Sequence, residues 1–243
     1  MPANPFTNSV WLRPPRAKSG QQPTLTRDQI VRTAIEILDT EGESGLSMRK
    51  LGTRLGAGAT SLYWYVAHKD ELMELAVDEV FGEVYVPEVG DTSWRIGASV
   101  LANGMRDMLV RHRWVLGQLG NRPNMGPNAM RMGDRTVALL VAAGFTGVEV
   151  SHASSLLMSH AIGAATSVAA ATNIVRDSGH TLSEMFEEIR PHVDQLAEEH
   201  PDYGKWWRET ASQLVPERMF DEGFAFGLER ILDGLDLWLK SRP

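Results

Sequence analysis

The stretch Ser47-Met48-Arg49-Lys50-Leu51-Gly52-Thr53-Arg54-Leu55-Gly56-Ala57-Gly58-Ala59-Thr60-Ser61-Leu62-Tyr63-Trp64-Tyr65-Val66 holds two short helical patterns separated by a glycine turn. Ser47 can cap the free N–H groups of the first pattern, Leu51 and Leu55 fall on one face, and Gly56 ends it. The second pattern predicts a helix over 59–66. A short bracing helix, a tight turn and a second short helix form a helix-turn-helix, in which the second helix enters the major groove of DNA.

The outward residues of that second helix carry the chemistry. Leu62 and Val66 suffice for a core face. Thr60 and Ser61 are small hydrogen-bonding groups near the N-terminus, within reach of phosphates or base edges. Tyr63, Trp64 and Tyr65 set three rings with polar handles side by side, able to lie along sugar and phosphate or touch a thymine methyl. Arg49 and Lys69 flank this surface as phosphate or guanine contacts. Taken alone, the triplet could equally be core, with the charges merely solvated.

Working outward, Thr26-Arg27-Asp28-Gln29 has the form of a capping box, and Ile30, Ala34, Ile37 and Leu38 then share one face until Gly42. After Ala67-His68 a fourth helix begins, with Asp70 and Glu71 set against its N-terminal dipole and Leu72, Leu75, Ala76 and Val80 as its buried stripe. Pro87 to Ser93 reads as a junction. Helices are expected near 94–112, 114–120, 127–143, 147–175, 182–198, 203–214 and 217–240, and no segment alternates as a half-buried strand does. The chain is therefore expected to be all-α. An arm (1–24) precedes a three-helix reading head (25–70), a connecting helix (71–86) and a larger helical domain for ligand sensing and dimerisation (87–243).

Charge is unevenly placed. The 243-residue chain carries a net charge of -7. Residues 1–70 nevertheless hold nine Lys/Arg against six Asp/Glu, and the remainder fifteen against twenty-five. A local basic footprint on an acidic protein suits selective contact with nucleic acid rather than indiscriminate coating. Arg13, Arg16 and Lys18 stand among prolines and small residues without an acid, as in arms laid into a minor groove; a solvated tail is the alternative.

Other classes find little support. The chain has no cysteine, so disulfides, thiolate nucleophiles and zinc fingers are excluded, and a reducing compartment, the cytoplasm, is expected. No apolar stretch of signal-peptide length opens the chain. Val150 to Val175 lacks Asp, Glu, Lys and Arg, but ten of its 26 positions are Ser, His, Thr or Asn, which predicts a buried soluble helix and no membrane partner. Ser47-Met48-Arg49-Lys50 matches Ser-x-x-Lys, yet that serine is better used as a helix cap. His152 and His160, like His192 and His200, stand eight residues apart, roughly 12 Å along a helix, too far to share a metal. Neither catalysis nor a cofactor is expected.

Residues 25–85 resemble the DNA-binding domain of the tetracycline-repressor (TetR) family. The likeness rests on Leu25-Thr26-Arg27, Ser47-Met48-Arg49-Lys50-Leu51, Gly56, Leu62-Tyr63-Trp64-Tyr65-Val66 and His68-Lys69-Asp70-Glu71-Leu72, jointly present at these spacings. It implies that Arg49, Ala59, Thr60, Tyr63, Trp64, Tyr65 and Lys69 touch operator DNA, with Arg49 and Thr60 as base readers and the aromatic triplet and Lys69 as a phosphate clamp. The operator should differ from that of the tetracycline repressor, which has Gln and Pro where Ala59 and Thr60 stand. Ser93-Trp94 and Gln118-Leu119-Gly120-Asn121-Arg122-Pro123 resemble the sensor domain of the same subfamily, where a magnesium-binding histidine and a threonine occupy the positions of Gln118 and Asn121. A neutral amide is a poor replacement for that histidine, which argues against a metal-chelated tetracycline; the apolar candidate pocket below suits a mostly apolar organic effector instead, such as an antibiotic or another metabolite.

Candidate pocket residues are Tyr85, Leu101, Met105, Trp114, Gln118, Asn121, Met125, Met158 and Ile162, apolar walls with few polar groups. One recognition helix reads too few bases for selectivity, so two subunits should act together on a palindromic duplex. The small residues of 147–175 and the Gly223-Phe224-Ala225-Phe226-Gly227 segment of 217–240 suggest a four-helix homodimer interface. The function expected is a ligand-released repressor; an activator, or a regulator without effector, has the same sequence signature.

Overall fold

The computed structural model describes residues 9–12, 25–120 and 124–241. These residues form ten α-helices and no β-strand: α1 (Arg27–Gly45), α2 (Met48–Arg54), α3 (Ala59–Leu62), α4 (Lys69–Phe81), α5 (Trp94–Arg111), α6 (Pro127–Ala143), α7 (Val148–Ser178), α8 (Leu182–Glu198), α9 (Pro201–Thr210) and α10 (Met219–Lys240). Two compact units divide inside α7, the first reaching Met158 and the second starting at Ser159.

In the first unit the capping box at Thr26 forms as expected. The helix does not stop at Gly42: a φ of 71° kinks it there and it runs on to Gly45. Glycine takes such a φ without steric cost, so it can bend a helix as readily as end one. Ser47 accepts the Lys50 N–H at 3.2 Å and starts α2. Leu51 is fully buried, whereas Leu55, expected on the same face, is the C-cap and only half-buried. Gly56, at φ 64°, then turns the chain.

The helix expected over 59–66 is shorter. Only Ala59–Leu62 is α-helical; beyond it Trp64 N–H bonds to Ser61 O and Tyr65 N–H to Leu62 O, a tightening to i→i+3 bonds. Both Leu62 and Val66 are fully buried, and α4 starts three residues past Val66, which leaves no room for another regular turn.

His68 caps α4, its Nδ1 accepting the Glu71 N–H at 3.1 Å while Glu71 accepts the Ala67 N–H at 3.2 Å. The expected apolar stripe is buried, and burial extends around the helix to Glu71, Glu74 and Asp78. Buried carboxylates require partners. Glu71 faces Arg27 at 3.9 Å, Glu74 accepts the Ser9 hydroxyl at 2.7 Å and the Val10 N–H at 2.9 Å, and Asp78 accepts two N–H groups at the start of α6. The short 3-10 segment Val10–Leu12 is thereby tied to α4. Between α5 and α6 the expected helix near 114–120 is a 3-10 segment, Arg113–Gly117. Trp94 meets Phe145 edge-on at 5.8 Å.

In the second unit a capping box opens α8, and hydrogen bonds from the Thr181 backbone and hydroxyl hold the Glu184 carboxyl below its usual pKa. Pro201 sits in the first turn of α9, which starts before the expected 203 and closes at Thr210. Trp207 is buried against Phe186 and donates to Asp194 at 2.6 Å. His160 of α7 stacks on Phe224 of α10 at 5.0 Å and bonds to its carbonyl at 2.9 Å.

The expectation of a buried helix over 150–175 needs correction. Along α7 the fully buried positions Ala153, Leu157, Ala161 and Ala165 recur every fourth residue as a narrow stripe, while Leu156 and Ile174 are exposed. By length and composition α7 is the one described helix that could cross a membrane.

Candidate nucleic-acid interface and sensor linkage

In the helix-turn-helix head the expected outward residues differ in exposure. With Leu62 and Val66 filling the core, Tyr63 is 49% and Trp64 81% exposed, and Tyr65 is half-buried beside them. Thr60 and Ser61 are exposed at the start of α3, Ala59 is half-buried, and Arg49 is exposed on α2. Lys69 is half-buried and donates to Glu43 O at 2.9 Å, tying the start of α4 to the end of α1. An ammonium has three donors, so that bond leaves capacity for a phosphate. The geometry therefore gathers Arg49, Thr60, Ser61, Tyr63 and Trp64 as outward groups and makes Lys69 also a brace. Arg13, Arg16 and Lys18 lie outside the described residues.

The expected pocket residues have different surroundings. Leu101, Met105 and Trp114 are buried in the first unit's core. Trp114 Nε1 donates to Asp39 at 2.8 Å, and Gln118 Nε2 to Glu43 at 2.9 Å, so both polar tips face α1. Met125 and Met158 are half-buried, Ile162 belongs to the second unit, and Asn121 lies outside the described residues. Tyr85 is 58% exposed and lines a cleft of about 240 Å³ whose other walls, among them Phe81, Val86, Arg131 and Arg135, were not expected. Asn128, Arg131 and Arg135 sit at i, i+3 and i+7 in a pattern that can be read as one helical face, a signal overlooked amid the neighbouring methionines.

A polar linkage also went unseen. Buried His112, following α5, bonds to Asp39 of α1 at 2.8 Å and to Glu83, just past α4, at 3.1 Å. Glu83 also meets Arg111. His112, Trp114 and Gln118 thus grip the end of α1. Their partners stand 73 to 75 residues away in sequence, where periodicity is blind. Among the described residues no group of three His, Asp or Glu could hold a metal ion.

A helix-turn-helix head with exposed rings, followed by a purely helical remainder, defines a helix-turn-helix transcriptional regulator. The sequence matches the family described as "Tetracyclin repressor-like, C-terminal domain" over residues 86–238. It is 38% identical over 202 residues to an HTH-type transcriptional regulator of Saccharopolyspora erythraea, covering 82% of this chain and 84% of that one. Against the HTH-type transcriptional repressor DrrR1 of Streptomyces coeruleorubidus it is 34% identical over 236 residues, 96% of this chain and 85% of the relative. The crystal structure of ActR from Streptomyces coelicolor in complex with actinorhodin superposes with a TM-score of 0.68 at 29% identity, covering 87% of this chain and 99% of that one. The chain belongs to the tetracycline-repressor family of transcriptional regulators and is not an enzyme.

Proposed function

We propose that this chain is a cytoplasmic repressor that binds a palindromic operator as a homodimer and leaves it when an organic effector binds the helical domain. The observation that carries the reading is the segregation within α3 and its tightened end: Leu62 and Val66 have no exposed surface, while Tyr63 and Trp64 face outward. In this reading Arg49 and Thr60 contact bases. Tyr63, Trp64, Tyr65 and Lys69 clamp the phosphate backbone, and Ala59 and Ser61 touch the DNA beside them. The head is residues 25–70, joined through 71–86 to the sensing and dimerisation domain at 87–243. Dimerisation is supported by the uncovered apolar side chains of α10, Phe226, Leu237 and Trp238, which are 65%, 69% and 52% exposed in one subunit, and by the small exposed residues Gly163, Ser167 and Ala170 of α7. Effector control is supported by relatives named as repressors and by ActR structures bound to small molecules. Only an effector with different affinities for the two states can drive release. Footprinting on DNA upstream of its own gene is expected to show two symmetric half-sites, with centres about one helical turn, 10–10.5 bp, or a multiple apart; uniform or absent protection overturns the reading.

The basic arm is a second DNA-binding element in this proposal. Ser9 and Val10, which precede the basic residues in sequence, are held by Glu74 of α4. Deleting the whole N-terminal segment would also remove the Ser9 and Val10 bonds to Glu74, so Arg13→Gln, Arg16→Gln and Lys18→Gln together are the cleaner test. The slope of log affinity against log salt is expected to become shallower by about 0.9 for each phosphate that the arm no longer neutralises. An unchanged slope removes the arm from the interface.

A further inference from the structure

We infer that the cleft beside the C-terminus of α4 is a binding site for a small aromatic acid, and that Arg131 is the group that recognises its anionic end. This deepens the effector part of the reading above and rests on it.

The cleft has two chemically distinct faces. Its apolar wall comes from Phe81, Val84 and Val86, all at least nine-tenths buried. Its other wall is α6, where Arg131 and Arg135 stand one turn apart and both line the cleft. Arg135 is already committed, donating to Val86 O at 3.2 Å and to Glu88 at 2.9 Å. Arg131 is different: it donates to the neutral carboxamide oxygen of Asn128, and among the described residues it forms no ion pair. A guanidinium presents five donors in a planar fork that fits a carboxylate bidentately, and one amide oxygen leaves most of that fork unused.

The remaining chemistry selects the rest of the ligand. Tyr85 lines the same cleft and is 58% exposed overall, so its ring has surface left to cover. A flat aromatic body can cover that ring and the apolar wall while its acid reaches Arg131. The volume, about 240 Å³, is below the roughly 300–1,000 Å³ of pockets for drug-sized ligands, which favours one or two fused rings over a larger polycycle. Position links occupancy to the head: Phe81 ends α4, and Asn128, another lining residue, donates to the Asp78 carbonyl of α4 at 2.9 Å.

Calorimetric titration of the full chain with 2-naphthoate, and in parallel with the isosteric neutral 2-naphthamide, tests the site. Naphthoate is expected to bind once per chain and at least tenfold more tightly than the amide. Arg131→Gln should weaken naphthoate at least tenfold and leave the amide unchanged, with Arg131→Lys between them. Thermal melts confirm that the variants fold, and Arg131 is exposed enough that none should shift. Equal affinity for acid and amide, an Arg131→Gln variant that binds naphthoate as the wild type does, or no naphthoate binding at millimolar concentration each overturns the inference. Operator binding by the ligand-free wild type reports separately on the DNA-binding reading, so either can fail alone.

Discussion

Trp64→Ala is expected to weaken operator binding by about 30-fold for each reading head, with the melting temperature unchanged. The size follows from the role: a tryptophan at the centre of an interface is worth about 2 kcal/mol or more, and every 1.4 kcal/mol is tenfold. The unchanged stability follows from the structure, since a side chain that is 81% exposed buries little on folding. Tyr63→Ala should act in the same sense with a smaller stability margin, its exposure being 49%. Leu62→Ala is the contrasting neighbour. It removes a fully buried side chain and should cost about 2–5 kcal/mol of stability, through the apolar burial it forfeits and the cavity it leaves. Fluorescence anisotropy on an operator duplex and a thermal melt on each variant separate the two. If Trp64→Ala melts early and still binds, the rings are core and the interface has been misplaced.

How far the sequence reveals this molecule depends on the range of each interaction. The caps at Thr26 and Ser47 are legible because each signal lies within three residues of its effect, and the helix phases follow from apolar spacing. The outward surface proposed to face DNA is legible because two apolar residues, Leu62 and Val66, fully account for the core side of the turn. The kink at Gly42 is a local ambiguity, since the same residue can terminate a helix or bend it. What escapes reading is the sensor side. Leu101, Met105 and Trp114 are buried, and because pocket wall and core share one composition the sequence does not separate the two roles. The carboxylates that organise the first unit, Asp39, Glu74 and Asp78, lie on helices where acidic residues ordinarily face water. Their partners arrive from 50 or more residues away.

Asp78→Ala is expected to destabilise the first unit by about 3–5 kcal/mol, read from chemical denaturation. The reason begins at the start of α6, where Gly126 has no side chain to cap the helix and Pro127 has no N–H to be capped. The first free donors are therefore those of Asn128 and Ala129. Asp78 takes both, at 3.1 and 3.0 Å, from a helix 50 residues earlier. Its side chain is buried, so alanine would leave two N–H groups without water or partner, at about 1–3 kcal/mol apiece, and would remove a carboxylate favourably placed against the helix dipole. Asp78→Asn keeps one acceptor oxygen and should cost about half as much. Gly126→Ala attacks the same junction from the other side, because a Cβ there would overlap the Asp78 carboxylate, and it should be as damaging. The clamp joins α4, which carries the reading head, to α6, which forms one wall of the cleft. Asp78→Asn, assayed at a temperature where it stays folded, should therefore bind operator as the wild type does and answer effector less. A destabilisation below about 1 kcal/mol for Asp78→Ala would show that water satisfies the α6 terminus and that the two helices are free to move apart.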